Sequence, residues 1–587
     1  MPEYIAPLKE MNFVLNELVG LEKICANSKN EGASIDLVPS VLEEAGRLAH
    51  EVFSPLNRIG DLNPARVEDG KVIESPGFSE AYQQFVEGGW GSVACDPNYG
   101  GMGLPEAVDA ACLEMWIGSN VSFSLCPTLT HGAINALKAS ATEEIKQRYL
   151  PKMITGEWTG TMNLTESQAG SDLSVIRTKA MPEGDHYRIK GTKIFITWGD
   201  HQMTDNVVHL VLARLPDAPE GVKGISLFVV PKFLVNDDGS LGDRNDVFPL
   251  SVEHKLGIHA SPTCVMGFGQ SNDSAGAIGY LVGQENRGLM HMFVMMNSAR
   301  LHIGLEGTGI GERAYQHARD YAKDRVQGKS SDENSETIIG HADVRRMLLE
   351  MRSLTEASRA LCYVAFGELD RVEQGDDKAL ARVEYLTPIV KGFTTEIAQE
   401  ITSLAVQIHG GMGFVEETGV AQYYRDARIM PIYEGTNGIQ AMDLIGRKLL
   451  ADNCGRFNLM VQEMQSELAS MEVSGITQSI VQASVNSLEL LEEHTRWIAD
   501  KVAADENLPG SVAFHLMMLN GYVFGGFFMA KSAVVAQQKM AEDKQFYDAK
   551  IKVADFYANS ILPRALAHAA SIRGGSNSIM QLSEDQF

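Results

Sequence analysis

The segment Tyr187-Arg-Ile-Lys-Gly-Thr-Lys-Ile-Phe-Ile-Thr197 carries a β-strand pattern inside a chain that is otherwise patterned as helix. Its β-branched and aromatic residues favour an extended backbone, and similar short runs, bounded by Gly, Asp and Pro, fill residues 156–285. On both sides, apolar residues recur every three or four positions, which is the period of a helix. The sequence therefore predicts an α+β protein, mainly α, with a barrel or sandwich β domain between helical regions.

The helical regions divide further along the chain, because 587 residues are too many for one hydrophobic core. Long helix-period stretches after Gly283, such as Leu289 to Ala322, predict a helical bundle. We predict five segments: an N-terminal extension over 1–35, a helical domain over 36–155, the β domain over 156–285, the bundle over 286–450 and a C-terminal helical extension over 451–587.

The charge and the cysteines argue against several classes of protein. The chain has 50 basic and 76 acidic residues and a net charge of -26, which repels nucleic acid and anionic membranes. No window approaches eighteen uninterrupted apolar residues and no secretory signal pattern opens the chain, so we expect a cytoplasmic protein without a membrane span. The seven cysteines are scattered without a close pair, so neither a metal site nor a disulfide framework is predicted.

Five motifs, in order along the chain, resemble those of acyl-CoA dehydrogenases. They are Leu164-Thr-Glu-Ser-Gln-Ala-Gly-Ser-Asp172, Phe195-Ile-Thr-Trp-Gly199, Lys255-Leu-Gly-Ile-His-Ala-Ser-Pro-Thr263, Gln407-Ile-His-Gly-Gly-Met-Gly-Phe414 and Tyr433-Glu-Gly-Thr436. The resemblance implies that family's fold, with an N-terminal helical domain, a middle β domain and a helical bundle. It also implies removal of two hydrogens across the α–β bond of an acyl-CoA thioester to give a trans-2-enoyl-CoA, with FAD as cofactor.

The same resemblance implies the residues that contact FAD. Those expected within one chain are Met162, Leu164, Thr165, Phe195, Thr197 and Thr436, and those expected to serve the FAD of a neighbouring subunit are Arg325, Gln407, Gly410 and Gly411. Hydroxyl side chains suit the polar edge of a flavin ring, and paired glycines let backbone N–H groups approach a pyrophosphate. Alternative interpretations are strand-favouring threonines and a glycine turn between helices. Phe195 replaces the family's usual Trp, and Arg325 precedes a shorter segment than usual.

The catalytic base implied by the resemblance is Glu434, which would abstract the α proton while its backbone N–H polarises the thioester carbonyl. A dry site beside the flavin would raise the pKa of this carboxyl and strengthen it as a base. Some relatives place the base just before an arginine that corresponds to Arg300, but Ala299 stands at that position and cannot accept a proton. Glu306 and Glu166 are the alternative carboxylates.

Four residues are expected to contact the acyl-CoA substrate. They are Ser171, Asn297, Arg300 and Gly435. Asn297 stands where relatives often have an aspartate, and Ser171 is also compatible with a simple turn cap. Substrate contacts therefore depend on the resemblance alone.

Two segments resemble the long bacterial branch of the family, which includes 3-methylmercaptopropionyl-CoA dehydrogenase of dimethylsulfoniopropionate breakdown and enzymes of ordinary fatty acids. They are Tyr4–Leu15 and the extension after Leu449. The resemblance implies an electron-transfer flavoprotein as acceptor and a homo-oligomer, either a dimer or a dimer of dimers. Alternatives are a fatty acyl-CoA dehydrogenase of β-oxidation, an acyl-CoA oxidase and a DNA-associated alkylation-response flavoprotein. The last requires a basic extension, but residues 451–587 have 16 acidic and 10 basic side chains.

Overall fold

The computed structural model describes residues 3–30, 32–272, 274–330, 332 and 335–587. Backbone contacts divide the chain into two compact units, one formed by Met1–Lys29 with Arg300–Phe587 and the other by Asn30–Ala299. The five segments predicted from the sequence are a finer division, which stays a prediction.

Helices dominate both units, and strands are confined to residues 66–282 of the described chain. The helices are α1 (Leu8–Phe13), α2 (Leu21–Asn27), α3 (Val38–Leu48), α4 (Ser54–Leu62), α5 (Phe78–Glu87), α6 (Glu106–Ser119), α7 (Val121–Ser140), α8 (Glu143–Ile154), α9 (Gly288–Asp324), α10 (Ala342–Glu373), α11 (Asp377–His409), α12 (Val420–Ala427), α13 (Asn437–Met442), α14 (Gly455–Ser470), α15 (Ile476–Lys501), α16 (Leu508–Gln538), α17 (Lys544–Phe556), α18 (Arg564–Arg573) and α19 (Asn577–Met580). The strands are β1 (Arg66–Glu68), β2 (Lys71–Ile73), β3 (Trp158–Asn163), β4 (Lys179–Glu183), β5 (His186–Thr197), β6 (Asn206–Arg214), β7 (Ile225–Pro231), β8 (Phe233–Val235), β9 (Leu241–Arg244), β10 (Val247–Val252), β11 (Thr263–Phe268) and β12 (Ala277–Val282).

The β domain of the Asn30–Ala299 unit is built on an eight-stranded sheet. The strand order is β10-β11-β5-β12-β7-β6-β3, and β4 pairs with both β5 and β6. β5 is long enough to pair with β4 and β12 near its start and with β11 near its end. β7 is buried at every residue, and its sequence is apolar at every position except Ser226 and does not alternate. The predicted β-rich middle region between helices is confirmed.

Two of the helices that precede this sheet bury most of their surface. α6 and α7 are buried along nearly their whole length, as expected for helices that are apolar on all sides. The side chain of Asn120 caps α7 by accepting a hydrogen bond from the backbone N–H of Phe123 (3.1 Å).

The other unit is a helical bundle with added helices at both ends of the chain. α9, α10 and α11 are 37, 32 and 33 residues long. α16 of the C-terminal extension packs against α10, α11 and α13, and also against α15, α17 and α18. The extension is therefore part of the core of this unit.

One helix, α16, is long and apolar enough to cross a membrane by length and composition alone. Of its most apolar window, 89% is buried inside the protein. Burial of this kind is typical of a core helix, and a single such helix is weak evidence for a membrane span.

A buried ion cluster joins the N-terminal segment, the bundle and the C-terminal extension. Lys550 of α17 donates from Nζ to Glu10 of α1 (2.6 Å) and to Glu356 of α10 (2.8 Å). All three side chains are buried, and Glu356 also accepts from Arg352 Nε (2.7 Å). A buried charge without a partner is energetically costly, so Lys550 and Glu10 must stay paired although they are 540 positions apart in the sequence.

Candidate active site

The loop between α12 and α13 holds Glu434 in a strained turn. Glu434 has a φ of 53° and Gly435 a φ of 87°, both in the left-handed region. Gln440 of α13 supports the turn by donating from Nε2 to the backbone oxygens of Glu434 (3.3 Å) and Gly435 (3.4 Å). A Cβ atom at residue 435 would lie 2.7 Å from that Nε2, so the close approach requires glycine.

Charged side chains from two bundle helices set the protonation of Glu434. Arg300 lies on α9 and Lys391 on α11. Burial raises the pKa of Glu434 to about 7, although Arg300 and then Lys391 act to lower it. A carboxyl with this pKa is partly ionised at neutral pH and is a stronger base than an ordinary glutamate.

Both cations are held by residues that closely follow Glu434 in the chain. Lys391 donates from Nζ to the side-chain oxygen of Asn437 (2.8 Å), and Arg300 donates from a guanidinium nitrogen to Asp443 (3.4 Å). Burial lowers the pKa of Lys391 to about 7, against the opposing effect of Glu434. The turn, the two cations and α13 thus form one connected group. The substrate contact predicted for Arg300 stays a prediction.

The two alternative carboxylates, Glu166 and Glu306, differ in their surroundings and therefore in their pKa. Burial acts to raise the pKa of Glu166, but Lys193 (2.8 Å) and hydrogen bonds from Thr178 and Arg177 lower it to about 2. Glu166 is therefore a weak base that anchors its own loop. Glu306 is fully buried on α9, and burial raises its pKa to about 8. Ala299 carries only a methyl group.

Three of the predicted motifs meet in the Asn30–Ala299 unit. The backbone N–H of Ile194, the residue before the second motif, donates to the backbone oxygen of Thr165 in the first motif (2.9 Å). Thr197 is paired with Thr263 of the third motif across β5 and β11. Two residues before Thr197 on the same strand, Phe195 has a φ of 59° and a side chain that is 60% exposed. An exposed aromatic face beside half-buried hydroxyls fits a planar ring that needs both stacking and hydrogen bonds.

Four other predicted cofactor and substrate residues lie in the Asn30–Ala299 unit. Met162 of β3 is half-buried, Leu164 is buried and Ser171 is exposed. Asn297 is exposed on the first part of α9.

The residues predicted to serve a neighbouring FAD are exposed in the bundle unit. They are Arg325, Gln407, Gly410 and Gly411. Arg325 donates only to nearby Gln327 (3.3 Å) among its described side-chain hydrogen bonds, and a Cβ at residue 410 or 411 would meet nothing within 4 Å. The pair of glycines ends α11, and Gly410 has a φ of 60°. These exposed groups are open to a ligand from outside the chain.

Sequence reasoning missed the residues that support the turn. Lys391 was detectable as a single charge in the apolar stretch Pro388–Phe393, since a lysine there must be buried with a partner. Gln440 and Asn437 gave no such signal, because polar residues after a helix cap are common. Thr436 was expected at the cofactor, and its side chain caps α13 by accepting from the N–H of Ile439 (3.3 Å). Its hydroxyl proton remains available to donate.

Four family models match the chain. "Acyl-CoA dehydrogenase, N-terminal domain" matches residues 63–157, "Acyl-CoA dehydrogenase, middle domain" 161–270 and "Acyl-CoA dehydrogenase, C-terminal domain" 286–450. "Acetyl-CoA dehydrogenase C-terminal like" matches residues 460–583. Together these matches extend over the helical domain, the β domain, the bundle and the extension.

Relatives of similar length are alike along the whole chain. A 3-methylmercaptopropionyl-CoA dehydrogenase of Ruegeria pomeroyi is 46% identical over 99% of this chain and 100% of its own. A butyryl-CoA dehydrogenase of Syntrophomonas wolfei is 33% identical over 100% of this chain and 99% of its own. A broad-specificity linear acyl-CoA dehydrogenase of Mycobacterium tuberculosis is 33% identical over 100% of both chains.

Solved structures share the fold. Caenorhabditis elegans ACDH-11 in complex with C11-CoA aligns with a TM-score of 0.79 at 22% identity, covering 95% of this chain and 91% of its own. Butyryl-CoA dehydrogenase from Megasphaera elsdenii aligns with a TM-score of 0.57 at 25% identity, covering 70% of this chain and 98% of its own.

The helical, β and helical-bundle architecture, together with these matches, defines an FAD-dependent oxidoreductase that acts on acyl-CoA. The chain belongs to the acyl-CoA dehydrogenase family. The resemblance seen in its motifs, and the long bacterial branch that it suggested, are confirmed.

Proposed function

We propose that the chain oxidises an acyl-CoA thioester across its α–β bond, with Glu434 as the base that removes the α proton. The observation that carries this proposal is the pKa of Glu434, which burial raises to about 7 in a turn held by Gln440. Abstraction of a weakly acidic proton requires a base whose pKa lies near the pH at which the enzyme works. The left-handed backbone aims this residue in a direction that an ordinary helix or strand position would not give.

The residues present also fit FAD. Thr165, Phe195 and Thr197 would hold the flavin ring, and the free hydroxyl proton of Thr436 would donate to the cofactor. Arg325 and the Gly410-Gly411 pair would bind the pyrophosphate of a neighbouring subunit's FAD, which makes the active form a homo-oligomer, a dimer or a dimer of dimers. When bound, FAD supplies the acceptor of the β hydride, and the product is the trans-2-enoyl-CoA.

We infer 3-methylmercaptopropionyl-CoA as the first substrate to test, because the relative with 46% identity over the full chain carries that name. Ordinary fatty acyl-CoAs are the second candidate, since two relatives at 33% are named for butyryl-CoA and for linear acyl-CoAs. An electron-transfer flavoprotein is the proposed acceptor in a cytoplasmic setting, and oxygen, as in an oxidase, is the alternative. A panel of thioesters followed by flavin bleaching, with each acceptor supplied in turn, decides both questions.

Replacing Glu434 by Gln tests the base. Glu434→Gln keeps the shape and the hydrogen-bonding groups but removes the carboxylate, so kcat should fall by about 10²-fold or more. FAD content and folding should be unchanged, and acyl-CoA should still perturb the flavin spectrum without bleaching it. Glu417→Gln, an exposed carboxylate in the same unit, is the matched control and should react like the wild type. Flavin reduction by Glu434→Gln at close to the wild-type rate would show that the base is elsewhere.

A further inference from the structure

Glu306 differs from the other buried glutamates of the bundle because it forms no ion pair with any of the described cations. Glu312 pairs with Arg359 (2.8 Å), Glu356 with Lys550 (2.8 Å) and Glu368 with Arg371 (2.9 Å). Glu306 is fully buried on α9, and none of the described ion pairs includes it. A buried carboxyl without a cation lowers stability, so a role other than stabilisation has to explain it.

The described partner of Glu306 is the residue next to the base. The hydroxyl of Tyr433 donates to Oε2 of Glu306, whereas Oε1 has no hydrogen-bond partner in the described structure. Tyr433 precedes Glu434, whose φ of 53° is intrinsically unfavourable. The contact therefore ties one side of the strained turn to α9, while Gln440 holds the carbonyls on the other side.

We propose that Glu306 is a positioning residue for the catalytic carboxylate, acting through its hydrogen bond with Tyr433 to hold the turn at Glu434 against the bundle. The inference rests on the proposed role of Glu434 as the base. Without the anchor, the turn can relax toward a more common backbone conformation, and the carboxylate moves with it. Misplacement of a reacting group by about 1 Å can lower a rate by about 10²-fold, even when the substrate still binds.

The electrostatics are compatible with this role. Burial, with Glu434 acting in the same direction, raises the pKa of Glu306 to about 8, although the hydrogen bond from Tyr433 and the charge of Lys391 act to lower it. Among the described residues, the titratable groups that act on this pKa are Tyr433 and Glu434 from the loop and Lys391 from α11. Because burial favours the neutral form of Glu306, this residue can hold Tyr433 without placing a second negative charge beside the base.

The hydrogen bond can be removed from either end. Glu306→Leu removes the acceptor with little change in volume, Tyr433→Phe removes the donor, and Glu306→Gln keeps an acceptor oxygen. We expect the first two to lower kcat for flavin reduction with butyryl-CoA by about tenfold, with KM changed by less than about twofold. The double variant Glu306→Leu/Tyr433→Phe should be no slower than either single variant, because both substitutions remove the same hydrogen bond. Glu306→Gln should restore most of the rate at pH 7.

Tyr385→Phe is the matched control. Tyr385 is a fully buried tyrosine of the same unit, whereas Tyr433 is half-buried, and the Tyr385 hydroxyl donates to Asn520 (3.1 Å) away from the turn. It should lose stability like Tyr433→Phe but keep the wild-type kcat.

Four outcomes separate the inference from the proposed function. A wild-type kcat in Tyr433→Phe would overturn the positioning role. This variant removes the same hydrogen bond as Glu306→Leu, so it tests the inference even if Glu306→Leu does not fold. The positioning role would also be overturned if the fold-loss of kcat in the double variant equals the product of the losses in the two single variants. If both positioning variants are slow but Glu434→Gln remains active, Glu434 is not the base and the proposed function is wrong. If Glu434→Gln is inactive and both positioning variants react like the wild type, Glu434 remains the base and only the inference about Glu306 is wrong.

Discussion

Replacing Arg300 by Gln should move the pH dependence of flavin reduction to higher pH. Only the ionised form of Glu434 can accept a proton, and Arg300 is the first of the two cations that lower its pKa. With a pKa of about 7, the ionised fraction rises from about one tenth at pH 6 to about nine tenths at pH 8. The wild-type rate should therefore rise about tenfold between these two values.

Loss of a close positive charge raises a carboxyl pKa by about one unit or more. In Arg300→Gln the midpoint should therefore lie near or above about pH 8, with about a fivefold lower rate at pH 7 and recovery toward pH 9. Asp443 keeps its ion pair with Arg447 (2.5 Å), so the variant should still fold.

The assay is anaerobic stopped-flow bleaching of the flavin with saturating butyryl-CoA from pH 5.5 to 9.5. Arg573→Gln, which removes an exposed ion pair with Glu493 in the extension, is the control and should leave the midpoint in place. An unchanged midpoint in Arg300→Gln, or a shift to lower pH, would refute the electrostatic account of Glu434. A wild-type rate that is flat between pH 6 and 8 would contradict it as well.

Further predictions concern stability and assembly. Lys550→Met should lower the free energy of unfolding by about 3–5 kcal/mol in denaturant titrations, because Glu10 and Glu356 lose the cation that they share in a buried site. Deletion of residues 451–587 should give insoluble protein, because α16 packs on the bundle and its apolar surface would be exposed. Light scattering should find at least a dimer with about one FAD per chain, and Arg325→Ala should lower the FAD content.

Each of these expectations can fail on its own. Unchanged stability of Lys550→Met would mean that the ion cluster does not hold the N-terminal segment. A soluble, fully active truncation would show that the extension is dispensable. A monomer that retains FAD and activity would remove the proposed contribution of Arg325 to a neighbouring subunit.

The sequence alone was sufficient for features that repeat locally. The β pattern at Tyr187–Thr197 and the helix periods on either side indicate which segments form strands and helices. Burial of one face or of both faces of an element requires apolar residues at a regular spacing in the sequence. Short motifs such as Tyr433–Thr436 were equally readable, since their residue types and order identify the family without coordinates.

Only the tertiary structure decided how the base is controlled. Lys391, Gln440 and Glu306 lie 43, 6 and 128 positions from Glu434, and no periodic pattern reports contacts at such separations. The pKa of Glu434 depends on burial and on Arg300 and Lys391, which the fold brings together from α9, α11 and a loop. A local pattern records which face of a helix or strand is buried, whereas the charges that meet inside the protein depend on how those elements pack.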